Sequence, residues 1–182
     1  TTILFSKGMI SKAVRVVTSP LGSGARIPPW FNRQISMFFF SRDWKIGLPI
    51  SMVTSANRFP IVVCQVPLLD MQRYNKLLAG ASWMGEYGNP DVPEDWEYIK
   101  KYSPYQNLKE GMNYPEVFFT TSTRDDRVHP GHARKMAAKM NDMGYKTYYY
   151  ENTEGGHAGS STNEQSAKAN ALVFSYLLMK LK

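Results

Sequence analysis

Residues Val117 to Lys139, which read VFFTTSTRDDRVHPGHARKMAAK, decide the fold of this chain. They begin with a short apolar strand, Val117 to Thr121, which leads into a polar turn that contains Asp125. After the turn, apolar residues recur at the spacing of a helix that packs on a core. In open α/β sheets, ligands bind beyond the carboxyl ends of the strands. The stretch therefore predicts a functional acid, Asp125, between a buried strand and a helix.

A second strand and a glycine-rich loop follow this helix. The strand is predicted at Tyr145 to Tyr150, and the loop Glu154 to Ser160 reads EGGHAGS and contains His157. Asp125 and His157 thus each follow a strand, in the chain order of the second half of a Ser…Asp…His hydrolase triad. In such a triad the histidine takes a proton near neutral pH, while the carboxylate fixes its tautomer. The alternative is that Asp125 or Asp126 only caps a helix and that His157 is an ordinary loop residue.

The middle of the chain supplies further strands and helices. Ile61 to Val66 is a continuous apolar run of the kind found in parallel sheets. Helices are predicted at Asp70 to Leu78 and at Pro93 to Lys101, the second with proline in its first turn. Strands that alternate with helices indicate an α/β fold with a mostly parallel sheet flanked by helices.

The last helix has a start signal and an apolar face of its own. Ser161-Thr162-Asn163-Glu164 is typical of a capping box. Gly144 occupies the position after the preceding helix where positive φ is expected. The residues predicted to form the buried face of the last helix are Ala171, Phe174, Leu177, Leu178 and Leu181.

Composition and charge exclude several classes of function. Of the 182 residues, 43% are hydrophobic and the net charge is +7, but the basic residues are scattered along the chain. We therefore expect no nucleic-acid partner, because such binding needs a clustered basic surface. No apolar stretch approaches the ~18 residues of a membrane span, so we expect no membrane partner. The basic residues within Thr1 to Val17 do not fit a signal peptide, which favours a cytoplasmic location and leaves a periplasmic one open.

A metal site and a reactive thiol are two alternatives that the sequence raises. His129 and His132 lie close to Asp125 and Asp126, as ligands of a metal would. No cysteine or second acid-histidine motif accompanies them, so we expect no metal and no other cofactor. The single cysteine, Cys64, lies within a predicted apolar strand, which favours a buried structural thiol over a nucleophile.

Five separated stretches resemble one known family, in the same order. They are CQVPLLDM, ASWMGEYGNP, YIKKYSPYQNL, YPEVFFTTSTRDDRVHPGHARKMAAKM and EGGHAGS. Together they resemble the catalytic domain of the prolyl oligopeptidase family of serine peptidases, over residues 52 to 182. The resemblance implies an α/β-hydrolase fold, which in that family normally follows a β-propeller that gates the active site.

The resemblance also implies roles for five residues. It makes Asp125 the triad acid and His157 the base, and it gives Arg127 the task of holding a substrate carbonyl. In proline-specific members, residues matching Trp83 and Tyr87 line the pocket for the residue before the scissile bond. A flat apolar indole face suits a pyrrolidine ring. The resemblance therefore implies a proline-binding pocket beside an acid-base pair.

The nucleophile does not follow the family pattern. The chain contains no Gly-x-Ser-x-Gly sequence, which forms the strained turn that exposes a catalytic serine. Counting back along the family pattern puts the nucleophile near Asp43, between the bulky residues Arg42 and Trp44. Ser41 lies two residues away, and Ser23 has glycine on both sides. These two serines are the candidate nucleophiles; otherwise the nucleophile is absent.

We expect residues 1–182 to form one truncated α/β-hydrolase-like catalytic domain without a propeller, in which residues 1–50 diverge and residues 51–182 follow the family. The first functional hypothesis is a serine hydrolase or peptidase that transfers acyl groups of short peptides or small esters. The alternative is an inactive homologue that acts as a binding or self-associating module. In that case the divergent segment, with its apolar run Met37 to Phe40, would form a homo-oligomer. A third interpretation is that Leu21 to Ile50 results from a change of reading frame.

Overall fold

The computed structural model describes residues 61–157 and 159–180. Three parallel strands form a sheet in the order β1-β2-β3. The strands are β1 (Ile61–Gln65), β2 (Glu116–Ser122) and β3 (Thr147–Asn152). The α-helices of the described residues are α1 (Met84–Tyr87), α2 (Pro93–Ile99), α3 (Pro104–Asn107), α4 (Gly131–Asp142) and α5 (Asn163–Lys180). The expected α/β class, with a parallel sheet flanked by helices, is confirmed.

Helices cover both faces of the sheet, as the unbroken apolar run of β1 predicts. On one face, Val62 and Phe119 pack in a cluster with the buried residues of α4. On the other face, Val63 and Phe118 pack with the buried residues of α5. Neighbouring residues of one strand point to opposite faces of a sheet, so β1 and β2 each contribute to both cores. This double burial fixes the positions of the strand ends, where the polar loops begin.

The helix after the acidic turn ends where glycine allows it to end. Gly144 has a φ of 81°, a conformation that costs glycine little and other residues more. Its N–H donates to the carbonyl of Asn141 (2.9 Å), and the N–H of Tyr145 donates to the carbonyl of Met140 (2.9 Å). The predicted glycine end of α4 is confirmed. The chain then turns directly into β3, which begins at Thr147, two residues later than predicted.

The prediction of an α-helix at Asp70 to Leu78 is wrong. This part of the chain forms two short 3-10 helices, Tyr74–Lys76 and Leu78–Trp83. The side chain of Asp70 accepts the main-chain N–H of Gln72 (3.2 Å). Such a local bond gives the backbone an alternative to the α-helix. The predicted helix at Pro93 to Lys101, in contrast, is confirmed as α2.

The buried face of α5 agrees with the sequence prediction only at Leu177. The helix buries Val173, Tyr176 and Leu177. Phe174 and Leu178 are instead 36% and 53% exposed, Ala171 is exposed, and Leu181 lies outside the described residues. Apolar residues occur on more than one side of this helix, so their spacing alone does not choose the face that meets the sheet. Within the described part of the chain, neither α5 nor any other helix is long and apolar enough to cross a membrane.

The cap of α5 lies one residue later than predicted. Thr162 Oγ1 accepts the N–H of Gln165 (3.2 Å), and the Gln165 side chain in turn accepts the N–H of Ser161 (2.9 Å). Glu164, the predicted partner of Ser161, is exposed. Since the helix begins at Asn163, the capping residue is Thr162, and Gln165 takes the part that was predicted for Glu164.

Val66 follows β1 in a backbone conformation that is unusual for its residue type. Its φ is 47°, and for a β-branched residue positive φ costs about 1–3 kcal/mol. The N–H of Val66 donates to the carbonyl of Thr120 in β2 (2.8 Å). This bond extends the pairing of the two strands by one residue and helps to hold the strained turn.

Candidate active site

Asp125 and His157 lie side by side beyond the carboxyl ends of the neighbouring strands β2 and β3. The Nδ1 atom of His157 is 2.9 Å from Oδ1 and 3.0 Å from Oδ2 of Asp125. The Asp125 side chain is fully buried, and 9% of the His157 side chain is exposed. A carboxylate at this distance favours the tautomer that carries the proton on Nδ1 and leaves Nε2 free of a proton. The structure therefore brings together the two residues that the chain order singled out.

The acid loop, residues 123–130 between β2 and α4, orients the carboxylate. Asp125 Oδ1 accepts the N–H groups of Arg127 (2.8 Å) and Val128 (2.9 Å). Two main-chain donors stabilise the charged carboxylate and fix its direction. Helix α4 is preceded by Pro130 and has no side-chain cap. Asp125 therefore does not cap α4, and its local bonds serve to hold the carboxylate against His157.

Two buried polar residues that the sequence pattern did not reveal join the acid loop to the histidine loop, residues 153–162. Ser122, at the end of β2, donates its hydroxyl to the carbonyls of Asn152 (3.0 Å) and Gly155. Asn152, at the end of β3, is 7% exposed and bonds to residues on both sides of His157. The available signal was a pair of polar residues at strand ends, each directly before a loop.

Trp83 and Tyr87 lie together in an aromatic cluster that reaches the acid loop. They are partly buried and pack on a buried group that includes Tyr74 and Val128. The rings of Tyr74 and Tyr87 meet edge to face, with centroids 5.9 Å apart. Burial, helped by Glu86, raises the pKa of the Tyr87 hydroxyl to about 12. Since the N–H of Val128 donates to Asp125, the cluster and the acid are joined through one residue.

The remaining residues of the predicted site lie at the surface or outside the described residues. Arg127 is exposed, and its main-chain N–H, rather than its side chain, supports Asp125. Ser41 and Ser23, the candidate nucleophiles, lie outside the described residues. Asp43, the position at which the family pattern puts the nucleophile, also lies outside the described residues. The described site therefore consists of a hydrogen-bonded aspartate and histidine beside an aromatic cluster.

His129 and His132 use their ring nitrogens for main-chain contacts. His132 is 1% exposed, and its Nδ1 accepts the N–H of Asp70 (3.1 Å). Burial lowers the pKa of His132 to about 4, so its ring is neutral at pH 7. His129 Nδ1 accepts the N–H of Gly131 (2.9 Å). Among residues 61–157 and 159–180, no three histidine, cysteine or acidic side chains are grouped to hold a metal ion.

A charged network braces the outer side of the acid loop. Arg134 of α4 donates from Nε to Glu151 Oε2 of β3 (2.9 Å) and from Nη2 to Oε1. Thr123 donates to the same carboxylate (2.5 Å). The bond from Arg134 is the main reason that the pKa of Glu151 falls to about 2, although burial opposes it. This paired carboxylate ties the start of the acid loop to both neighbouring elements.

Cys64 lies in the middle of β1 and is 4% exposed. Burial raises the pKa of its thiol to about 12. The thiolate is the nucleophilic form of cysteine, so a thiol with this pKa is inert at neutral pH. Cys64 therefore belongs to the core and not to the reacting groups.

Comparison with known proteins gives one consistent family. The sequence model of the prolyl oligopeptidase family matches residues 47–182. The uncharacterized peptidase y4nA of Sinorhizobium fredii is 50% identical over 132 residues, which cover 72% of this chain and 18% of that protein. A prolyl endopeptidase of Elizabethkingia miricola is 38% identical over 120 residues, which cover 64% of this chain and 17% of that protein.

Solved structures agree with the sequence relatives. A post-proline cleaving enzyme from Rickettsia typhi superposes with a TM-score of 0.76 at 34% identity, over 80% of this chain and 21% of that one. A prolyl endopeptidase structure gives a TM-score of 0.75 at 28% identity, over 80% of this chain and 22% of that one. These neighbours confirm the α/β-hydrolase type of the sheet. The chain spans about a fifth of the length of these relatives, and it belongs to the prolyl oligopeptidase family.

Proposed function

We propose that this chain carries the acid-base half of a serine hydrolase site of the prolyl oligopeptidase type. The observation that supports this proposal is the Asp125–His157 pair, with Nδ1 2.9 Å and 3.0 Å from the carboxylate oxygens. Asp125 holds the ring in the tautomer that leaves Nε2 as a proton acceptor. It also stabilises the imidazolium that forms once the ring has taken a proton.

The reaction would be acyl transfer from a short peptide or a small ester. A serine oxygen attacks the carbonyl carbon, and His157 takes the hydroxyl proton. His157 then gives that proton to the leaving amine or alcohol as the acyl-enzyme forms. Water next attacks the acyl-enzyme with His157 again as base, which releases the acid and restores the serine. Asp125 stays ionised throughout.

The aromatic cluster supports a preference for proline before the cleaved bond. Trp83 and Tyr87 are partly exposed and lie on the same cluster as Val128, which bonds to Asp125. A pyrrolidine ring would bury apolar surface against the indole without needing a hydrogen bond of its own. The relatives named prolyl endopeptidase are consistent with this preference.

The first prediction concerns the nucleophile. The full chain is treated with a fluorophosphonate, which bonds to a serine only when a base activates it, and the intact mass is measured. We expect one adduct per chain, on Ser41 or Ser23, because His157 requires a hydroxyl partner. Peptide mass then identifies the modified residue.

The matched control is His157→Ala, which should abolish the adduct. Asp125→Asn should slow its formation by on the order of 10⁴-fold, because the wrong tautomer is then favoured. Folded wild-type protein that gives no adduct would overturn the hydrolase proposal.

One sequence observation favours a second candidate function. The chain contains no Gly-x-Ser-x-Gly turn, so an inactive homologue that binds proline-containing peptides at the aromatic cluster is the alternative. In that case a proline peptide would bind to the full chain without being cleaved, and Trp83→Ala would weaken the binding.

A further inference from the structure

The histidine loop is held in place although its sequence favours disorder. It contains Gly155, Gly156 and Gly159, and glycine loses more conformational freedom on ordering than any other residue. Nevertheless the His157 ring stays within 3.0 Å of both Asp125 oxygens. No helix or strand is formed by the described residues of this loop. One backbone bond, from the N–H of Gly159 to the carbonyl of Gly156 (2.8 Å), spans His157, and side-chain contacts tie the loop to the neighbouring elements.

The side chain of Asn152 bridges the two arms of the loop. Its Oδ1 accepts the N–H of Glu154 (3.0 Å), three residues before His157. Its Nδ2 donates to the carbonyl of Gly159 (2.7 Å), two residues after His157. Because one amide group binds on both sides of the histidine, it closes the base of the loop. Asn152 itself is 7% exposed, so these bonds are shielded from water.

Gly155 shows how closely the loop is packed on this amide. A Cβ at Gly155 would lie 2.8 Å from Asn152 Nδ2 and 2.4 Å from the Gly159 carbonyl oxygen. Both separations are shorter than atoms of these kinds can adopt without a backbone shift. The glycine is therefore required here by contact with the amide and with the returning arm.

Gln165, from the first turn of α5, holds the same amide from the other side. Its Oε1 accepts Asn152 Nδ2 (3.2 Å) and the N–H of Ser161 (2.9 Å). Its Nε2 donates to Glu154 Oε2 (2.5 Å). The bond to Asn152 joins the end of β3 to α5, and the bonds to Ser161 and Glu154 join the histidine loop to α5.

We propose that Asn152 and Gln165 form an amide clamp that positions His157 against Asp125. They are positioning residues, because their hydrogen bonds are to the loop backbone and to the Glu154 side chain rather than to His157. The clamp sets the distance between the base and its acid, and it does so from outside the reacting groups. The expected effect of the clamp on catalysis rests on the proposed function, whereas its effect on the position of the His157 ring does not. The arrangement of the ring can be tested without any activity.

The test uses the full chain with ¹⁵N-labelled histidine. The chain has three histidines, so three pairs of ring-nitrogen signals are expected, and the His157→Ala variant assigns one pair. We expect Asn152→Ala to speed the exchange of the His157 Nδ1 proton with water by about 10- to 100-fold, since two shielded bonds that close the loop are lost. Gln165→Ala should have the same effect to a smaller degree.

Two internal controls separate positioning from a general loss of stability. His132 is buried and accepts the N–H of Asp70, away from the histidine loop. Its signal should therefore stay unchanged in every variant that folds. Asn107→Ala removes a side-chain amide that likewise donates to two carbonyls, those of Lys100 (2.6 Å) and Ser103 (2.8 Å). It should leave the His157 proton as protected as in the wild type.

The outcomes are distinct. An Asn152→Ala protein that keeps its His132 signal and its slow His157 exchange would overturn the clamp. If Asn152→Ala does not fold, the Gln165→Ala variant becomes the test. Exchange of the His157 Nδ1 proton in Gln165→Ala at the wild-type rate would then overturn the proposal. If the wild-type chain takes up a fluorophosphonate, the labelling rate of Asn152→Ala should fall by about 10²-fold, as for a base displaced by about 1 Å. A wild type that takes up none contradicts the proposed function but leaves the exchange result decisive for the clamp.

Discussion

At the scale of single residues, the buried, neutral His132 should make the unfolding free energy depend on pH. Its pKa in the folded chain is lowered to about 4 by burial, against about 6.5 in an unfolded chain. Between these values the unfolded chain binds a proton that the folded chain does not, so stability falls as the pH falls through this window. The shift corresponds to on the order of 3 kcal/mol of unfolding free energy.

The measurement is urea denaturation at pH 7 and at pH 4.5. His132→Asn keeps an acceptor for the N–H of Asp70 and removes the titrating ring. We therefore expect the variant to lose less stability than the wild type between the two pH values. The neighbouring Asp70 also makes stability depend on pH: burial raises its pKa, but bonds from Lys135 and Gln106, with a smaller effect of His132, outweigh this and lower it. Equal losses in both proteins would contradict the assignment to His132.

At the scale of the element, adjacent leucines of α5 provide a matched pair. Leu177 is 4% exposed in the core on the β1–β2 sheet, whereas Leu178 is 53% exposed. Leu177→Ala should cost about 2–5 kcal/mol, because it removes buried methyl groups and leaves a cavity. Leu178→Ala should change the unfolding free energy by less than about 0.5 kcal/mol. Urea denaturation of the two variants compares them directly, and equal losses would place the buried face of α5 elsewhere.

The same elements show how far the sequence predicts the fold. The apolar run of β1 and the single apolar face of α4 each allow one arrangement, and both elements were predicted. Helix α5 carries apolar residues on several sides, so its buried face depends on which side meets the sheet. The segment that begins at Asp70 depends on a bond to His132, 62 residues away. Local patterns do not contain such distant partners.

Some residues of the candidate site could likewise be predicted from the sequence, and others could not. Asp125 and His157 could be placed together because each follows a parallel strand, and the ends of neighbouring strands meet at one edge. Ser122 and Asn152 could not be ranked by sequence, because a polar residue at a strand end is common in loops. Only the packing of the two loops shows that these side chains are buried and bonded across them.

At the scale of the whole molecule, the described sheet has three strands, fewer than most sheets of globular proteins contain. We propose that the chain self-associates through its divergent N-terminal segment, which lies outside the described residues and contains the apolar run Met37 to Phe40. Light scattering at rising protein concentration should then give a mass that exceeds the 20.7 kDa of one chain. A constant mass of 20.7 kDa over the whole range would contradict self-association.

Because Cys64 is buried, the rate at which a thiol reagent modifies it reports how often the core opens. It is the sole cysteine of the chain, and it lies in the β1 core beneath α4. A thiol reagent reaches the sulfur only when α4 and β1 separate, so the modification rate depends on the frequency of that opening. Loosening near the histidine loop would leave that rate unchanged, while loss of the central core would raise it. One sulfur atom thus distinguishes local motion at the candidate site from opening of the fold that carries it.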